Sequence, residues 1–265
     1  MEKELCYYSE RGMVNAIVYS LYKYDRAFFH FLKAIRDVNG KLVEDFKKIK
    51  CSGIKKYTIY NELSLGQFGD PDLMIRVDFK DDVNKDPIFL FIEAKVGTYI
   101  NSVKNHYITE GYDKNNNASR INFQLNLKKR FVDAYLSTPK DSDSIVEKRE
   151  IKNDKQRKIE KNSIVKQVMK IMEGITEDNI YYISMTSDRP DRPNPYDCEN
   201  KDIMPFINFK NEDELNKHLG YITYEDIEYQ NENLLSKDKV ILYDAASRKM
   251  FKLAKDLANN IVEDE

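Results

Sequence analysis

Residues 89–95 read FLFIEAK, and residues 69–75, some twenty positions earlier, read GDPDLMI. Both runs are apolar enough for a protein core, yet one carries Glu93 and Lys95 and the other Asp72. An unpaired charge is costly to bury, so a group of this kind usually has a partner such as a metal ion. The near-continuous apolarity of PIFLFIEAKV predicts a central strand covered on both sides. In DLMIRVDF, alternation puts Leu73, Ile75, Val77 and Phe79 on one face. The preceding YTIYNELSL (57–65) also alternates, with Ile59 and Leu63 on one face and Glu62 on the other. Three such strands in succession read as an antiparallel meander at the heart of a mixed sheet.

Outward from this centre, ERGMVNAIVYSLYKY can follow a Ser9 cap as a helix with Met13, Ile17 and Leu21 on one face. A second helix, DRAFFHFLKAIRDV, ends at Asn39-Gly40. GYDKNNNAS reads as a polar loop, and RINFQLNLKKRFVDAYL after it as an amphipathic helix carrying Gln124 and a Lys128-Lys129-Arg130 cluster. The basic stretch at 148–170 reads as another long helix or an excursion from one. NIYYISMTSD (179–188) is a strand, RPDRPNPYD a loop, and YITYEDIEYQNENLL and AASRKMFKLAKDLANNIV read as closing helices. The fold expected is α/β, a central mixed sheet flanked by helices. A single domain is expected over 1–265, with N-terminal helices at about 1–50 and a helical C-terminal extension at about 188–265.

Composition narrows the function classes. At 265 residues, with 41% hydrophobic and 33% charged side chains, the chain fits a globular protein with a highly charged surface. No apolar run reaches the length of a membrane span, so no membrane partner is expected. MEKELCYYSERG lacks the basic start and apolar core of a signal peptide. Cys6, Cys51 and Cys198 show neither disulfide-framework nor zinc spacing, which points to a reducing cytoplasm. His30, His106 and His218 are equally scattered, which argues against a histidine metal site or a Ser-His-Asp hydrolase. The net charge of −2 neither marks nor excludes a nucleic-acid binder, since local patches matter more.

Strand alternation sends Glu93 and Lys95 to one side, and antiparallel neighbours lie within about 5 Å. Asp72 and Glu93 can therefore share a divalent cation. Mg²⁺ prefers carboxylate oxygens, keeps several waters and adds phosphate oxygens to its shell. Lys95 beside it can orient an attacking water or stabilise the transition state.

Pro71-Asp72 and Glu93-Ala94-Lys95, each within a hydrophobic strand, resemble the signature of the PD-(D/E)xK nuclease superfamily, also called restriction-endonuclease-like. The order helix, strand, PD-strand, ExK-strand, helix, strand fits as well, and the resemblance covers roughly positions 7–187. A second pattern, Pro190-Asp191 with Glu199-Asn200-Lys201, lies among prolines with no strand between its halves and fails on structure. The resemblance implies a restriction-endonuclease-like core and a Mg²⁺-dependent phosphodiester hydrolase, with Mn²⁺ as a substitute. Asp72, Glu93 and Lys95 would be catalytic and Asp72 and Glu93 metal-binding.

Gln124 matches a glutamine frequent in the superfamily and would hold a water or a phosphate. Members often carry a further acid on the strand before the PD strand or on the first helix, which nominates Glu62 and Glu10 as metal ligands. Arg11 is a candidate phosphate contact. Lys128, one turn after Gln124 on the same face, and Lys129 and Arg130 beside it are the expected nucleic-acid-binding residues. The activity expected is a DNA nuclease, with restriction or anti-phage defence as its setting and a homodimer as its assembly. Two other classes stay open: a catalytically silent nucleic-acid-binding or scaffold member, and an effector nuclease switched on by a small molecule or partner protein.

Overall fold

The structure, a computed structural model, describes residues 4–7, 10–23, 25–83, 85–95, 121–139, 142–147, 158–160, 163–186, 196, 209–227, 239–244 and 249–254. In chain order the first elements are β1 (Glu4–Tyr7), α1 (Glu10–Lys23), α2 (Asp25–Ala34), β2 (Arg36–Asp37), α3 (Glu44–Lys47), β3 (Ile54–Asn61), β4 (Leu73–Phe79) and β5 (Ile88–Ala94). Then come α4 (Ile121–Ser137), β6 (Ser144–Val146), β7 (Lys158–Glu160), α5 (Ser163–Ile171), β8 (Ile180–Thr186), α6 (Glu212–His218), β9 (Leu219–Thr223), β10 (Lys239–Asp244) and β11 (Lys249–Ala254). The Ser9 cap, the loop at 111–119 and the two halves of the second motif, 190–191 and 199–201, lie outside the described residues.

Six strands form a central mixed sheet in the order β2-β9-β8-β5-β4-β3. The meander β3-β4-β5 is antiparallel, as its three alternating runs predict. β8 and β9 then add parallel to β5, while β2 closes the far edge antiparallel to β9. This is an α/β arrangement, since parallel neighbours need crossovers and α4, α5 and α6 lie in those connections.

Alternation along each strand sets two cores. Leu73, Ile75, Val77 and Phe79 of β4, with Ile88, Leu90 and Ile92 of β5, pack against Met13, Ile17 and Leu21 of α1 and Phe28, Phe31 and Leu32 of α2. Met74, Phe89 and Phe91 face the other way, onto Leu125, Phe131 and Val132 of α4 and Val165 and Val168 of α5. Burying one such side chain contributes about 1.5–3 kcal/mol, so slipping β5 by one residue is prohibitive. Glu93, in phase with Phe89 and Phe91, must therefore face α4.

Four expectations need correction. The second helix ends at Ala34 rather than at Asn39-Gly40, because Arg36–Asp37 leaves it to pair with β9 as β2. The C-terminal third is not helical throughout. YIT lies in β9, where it extends the sheet, and KVILYD and KMFKLA pair as β10 and β11 in a separate sheet with β1. The stretch at 148–170 is not one long helix: β7 closes a two-stranded sheet with β6, and α5 begins only at Ser163. The strand before Asp72 ends at Asn61, because Glu62 takes a left-handed backbone with φ 53°. Among the described residues no helix is long and apolar enough to cross a membrane.

Candidate functional site

Asp72 stands one residue before β4. Because Leu73 pairs with Ile92, it comes opposite Glu93 on the α4 side of the sheet. Its Oδ2 accepts a hydrogen bond of 2.7 Å from the Ala94 N–H, fixing one carboxylate oxygen at the end of β5. Glu93 is 1% exposed. Burial pushes its carboxyl up to about 7; Asp72 adds to the shift, and the positive charges of Lys128 and Lys95 oppose it.

The ammonium of Lys128 lies 2.8 Å from Glu93 Oε1, both side chains being 1% exposed. The same ammonium donates to the Phe68 carbonyl at 3.3 Å. Gly69 makes room for it: a Cβ there would sit 3.1 Å from Nζ, and the backbone has φ +73°, a region that favours glycine. One turn earlier on α4, Gln124 Oε1 is buried with no hydrogen-bond donor among the described residues. Lys95 follows the end of β5. Its N–H donates to the Met185 carbonyl at 2.9 Å, its Nζ donates to the Ala94 carbonyl at 2.8 Å, and its carbonyl accepts from the Tyr224 hydroxyl.

The structure thus gathers Asp72, Glu93 and Lys95 at neighbouring strand ends, with Gln124 and Lys128 on the helix above. The remaining expected residues sit elsewhere. Glu62 donates its N–H to the Asp72 carbonyl at 3.3 Å, but its carboxylate is 39% exposed and takes Arg11 Nε at 2.6 Å. Glu10 begins α1, and its side chain lies outside the described residues.

The basic cluster on α4 departs most from expectation. Lys128, Lys129 and Arg130 are all buried and all paired with acids. Lys129 bonds Asp133 at 2.6 Å and Glu177 at 2.9 Å, while Arg130 forms a two-pronged pair with Glu147 at 2.5 and 2.7 Å. As folded, this cluster offers no free charge to a phosphate backbone. Sequence reasoning missed Lys128 as the counter-ion of Glu93, although its four-residue spacing from Gln124 already placed it on that face.

Among the described residues no three His, Cys, Asp or Glu side chains cluster tightly enough to cage a metal. A hard cation that keeps most of its waters needs only one or two carboxylates, however. Asp72, Glu93 and Gln124 offer oxygen donors alone, the kind that Mg²⁺ or Mn²⁺ prefers, and Gln124 Oε1 is buried without a hydrogen-bond donor among the described residues. No family model, no curated protein and no solved structure matches the chain.

Proposed function

We propose that the chain is a Mg²⁺-dependent nuclease of PD-(D/E)xK type, hydrolysing phosphodiester bonds of DNA at the Asp72–Glu93 strand ends. One observation carries the reading: two carboxylates face each other across paired strands, Lys95 follows two residues later, and a buried amide oxygen lacks a donor among the described residues. Asp72, Glu93 and Gln124 would hold the cation, which supplies charge neutralisation at the phosphate and a more acidic water. Lys95 extends an ammonium that orients the attacking water or meets charge building on the phosphate. Lys128 keeps the Glu93 carboxylate in place by a buried ion pair. The restriction-endonuclease-like core, the homodimer and the defence setting belong to the same proposal and rest on the motif resemblance.

A second reading, a catalytically silent nucleic-acid-binding member, is favoured by the same Lys128. Its ammonium already neutralises Glu93, and Glu62 points its carboxylate at Arg11 rather than at Asp72. Incubating the purified chain with plasmid DNA and with RNA, with Mg²⁺ and with a chelator, decides between them. Metal-dependent DNA cleavage supports the nuclease. Binding without cleavage supports the silent reading, and cleavage only after adding a cell extract supports a switched effector.

A further inference from the structure

Away from the Asp72–Glu93 pair, β3, β4 and α5 leave a polar groove on the same side of the sheet. A register shift between Ile54 and Lys56 sets Lys56 opposite Asp78, Thr58 opposite Arg76 and Tyr60 opposite Met74. The open groove holds a volume of about 530 Å³, within the roughly 300–1,000 Å³ typical of small-molecule sites. Its floor is fixed. The Arg76 guanidinium donates to Asp78 at 2.8 Å and to the carbonyls of Ile171 and Glu173 at 2.5 and 2.8 Å. These carbonyls lie at the C-terminal end of α5, where a cation complements the helix dipole.

The charge of Arg76 is thereby spent, but two other cations on the walls are not. The side-chain ammoniums of Lys56 on β3 and Lys170 on α5 have no hydrogen-bond or ion-pair partner among the described residues. Among the described lining residues one further carboxylate, Glu173, remains, so the lining carries a net positive charge. The Thr58 hydroxyl adds a neutral donor, and the half-buried Tyr60 adds an aromatic surface.

The geometry points to a binding site for a small phosphate ester of nucleotide size, separate from the Asp72–Glu93 pair. Two ammoniums on opposite walls suit phosphate oxygens, which accept strong charge-assisted hydrogen bonds. Tyr60 offers a face on which a base can stack. From Asp72 to Arg76 is four residues along the sheet, about 13 Å, and Met74 between them is wholly buried.

Calorimetric titration of the full chain with AMP, GMP, CMP, UMP and inorganic phosphate tests this at low salt. At least one nucleotide is expected to bind, and more tightly than phosphate alone. Lys56→Gln with Lys170→Gln should weaken it by about tenfold or more, the loss of two charge-assisted contacts. Both lysines are exposed, so the melting temperature of that variant should match wild type. Asp72→Asn should leave nucleotide affinity unchanged. The site is refuted if none of the four binds, or if the lysine variant keeps full affinity. Loss of binding in Asp72→Asn would move the ligand to the other site, and phosphate binding as tightly as the nucleotides would overturn the nucleotide assignment.

Discussion

Glu93 and Lys128 form an ion pair of 2.8 Å between side chains that are each 1% exposed, joining the end of the central strand to the helix above it. Removing one partner of a buried pair costs more than the pair is worth, because the other is left uncompensated. Lys128→Ala should therefore destabilise the fold by about 3–5 kcal/mol. Adding Glu93→Gln should recover a good part of that loss. A double-mutant cycle in urea measures it, and additive losses would show that the two charges do not depend on each other.

The same reasoning applies to Arg130 and Glu147, whose side chains are each 6% exposed and which tie α4 to the segment after β6. Arg130→Ala should cost about 3–5 kcal/mol. Arg130 is not a phosphate contact in the folded state, so a variant that keeps the fold, such as the double change Arg130→Met with Glu147→Met, should bind DNA with an unaltered salt slope. A slope reduced by about one, the signature of one lost phosphate contact, would return Arg130 to the surface.

Glu62 makes a backbone test. Its left-handed φ of 53° costs a residue with a Cβ roughly 1–2 kcal/mol, whereas its exposed pair with Arg11 is worth about 0–1 kcal/mol. Glu62→Gly should hold or raise stability and Glu62→Ile should lower it, so the melting order Gly, Glu, Ile is expected. Glu62→Gln should change melting by little. Should that variant lose DNA cleavage, the carboxylate acts on the metal site despite Arg11.

The structure also predicts a pH dependence at His218. Burial, aided by Lys217, holds its ring below the ordinary value, against the Ile180 carbonyl and the acids Glu214 and Asp178. The Nδ1–H donates to that carbonyl at 2.8 Å. The unfolded chain therefore takes up this proton first, at about pH 6.5. The contribution is complete above that pH and is lost as pH falls toward the depressed folded value. Wild type should lose stability faster than His218→Gln between about pH 6.5 and 5. Parallel melting curves over that interval would show that the ring is not held neutral.

The meander and the facing of Asp72 and Glu93 were legible because alternation is local: Leu73, Ile75 and Val77 fix the phase of one strand, and Phe89 and Phe91 that of the next. The fate of Lys128, Lys129 and Arg130 was not. Three consecutive basic residues on a helix read as a surface that meets phosphates, and their burial depends on acids supplied by Glu93, Glu177 and Glu147 from three other parts of the chain. KMFKLA misled in another way. Met, Leu, Ala and Lys are helix formers, yet Lys249–Ala254 is a strand because it pairs with KVILYD, a tertiary fact absent from its own composition. Glu62 read as a strand residue for a different reason, since a single left-handed residue ends the strand without disturbing the pattern of side chains before it.

Phosphodiester hydrolysis at the Asp72, Glu93 and Lys95 strand ends is a proposal that activity decides. The direct measurement is plasmid cleavage across a Mg²⁺ titration by wild type, Glu93→Gln and Lys95→Ala, each first shown by circular dichroism to melt like a folded protein. Wild type should cut only with the metal present. Both variants should fall by at least about a hundredfold, the scale expected for a group that acts on the transition state. Cleavage at wild-type rates by either folded variant would contradict the account.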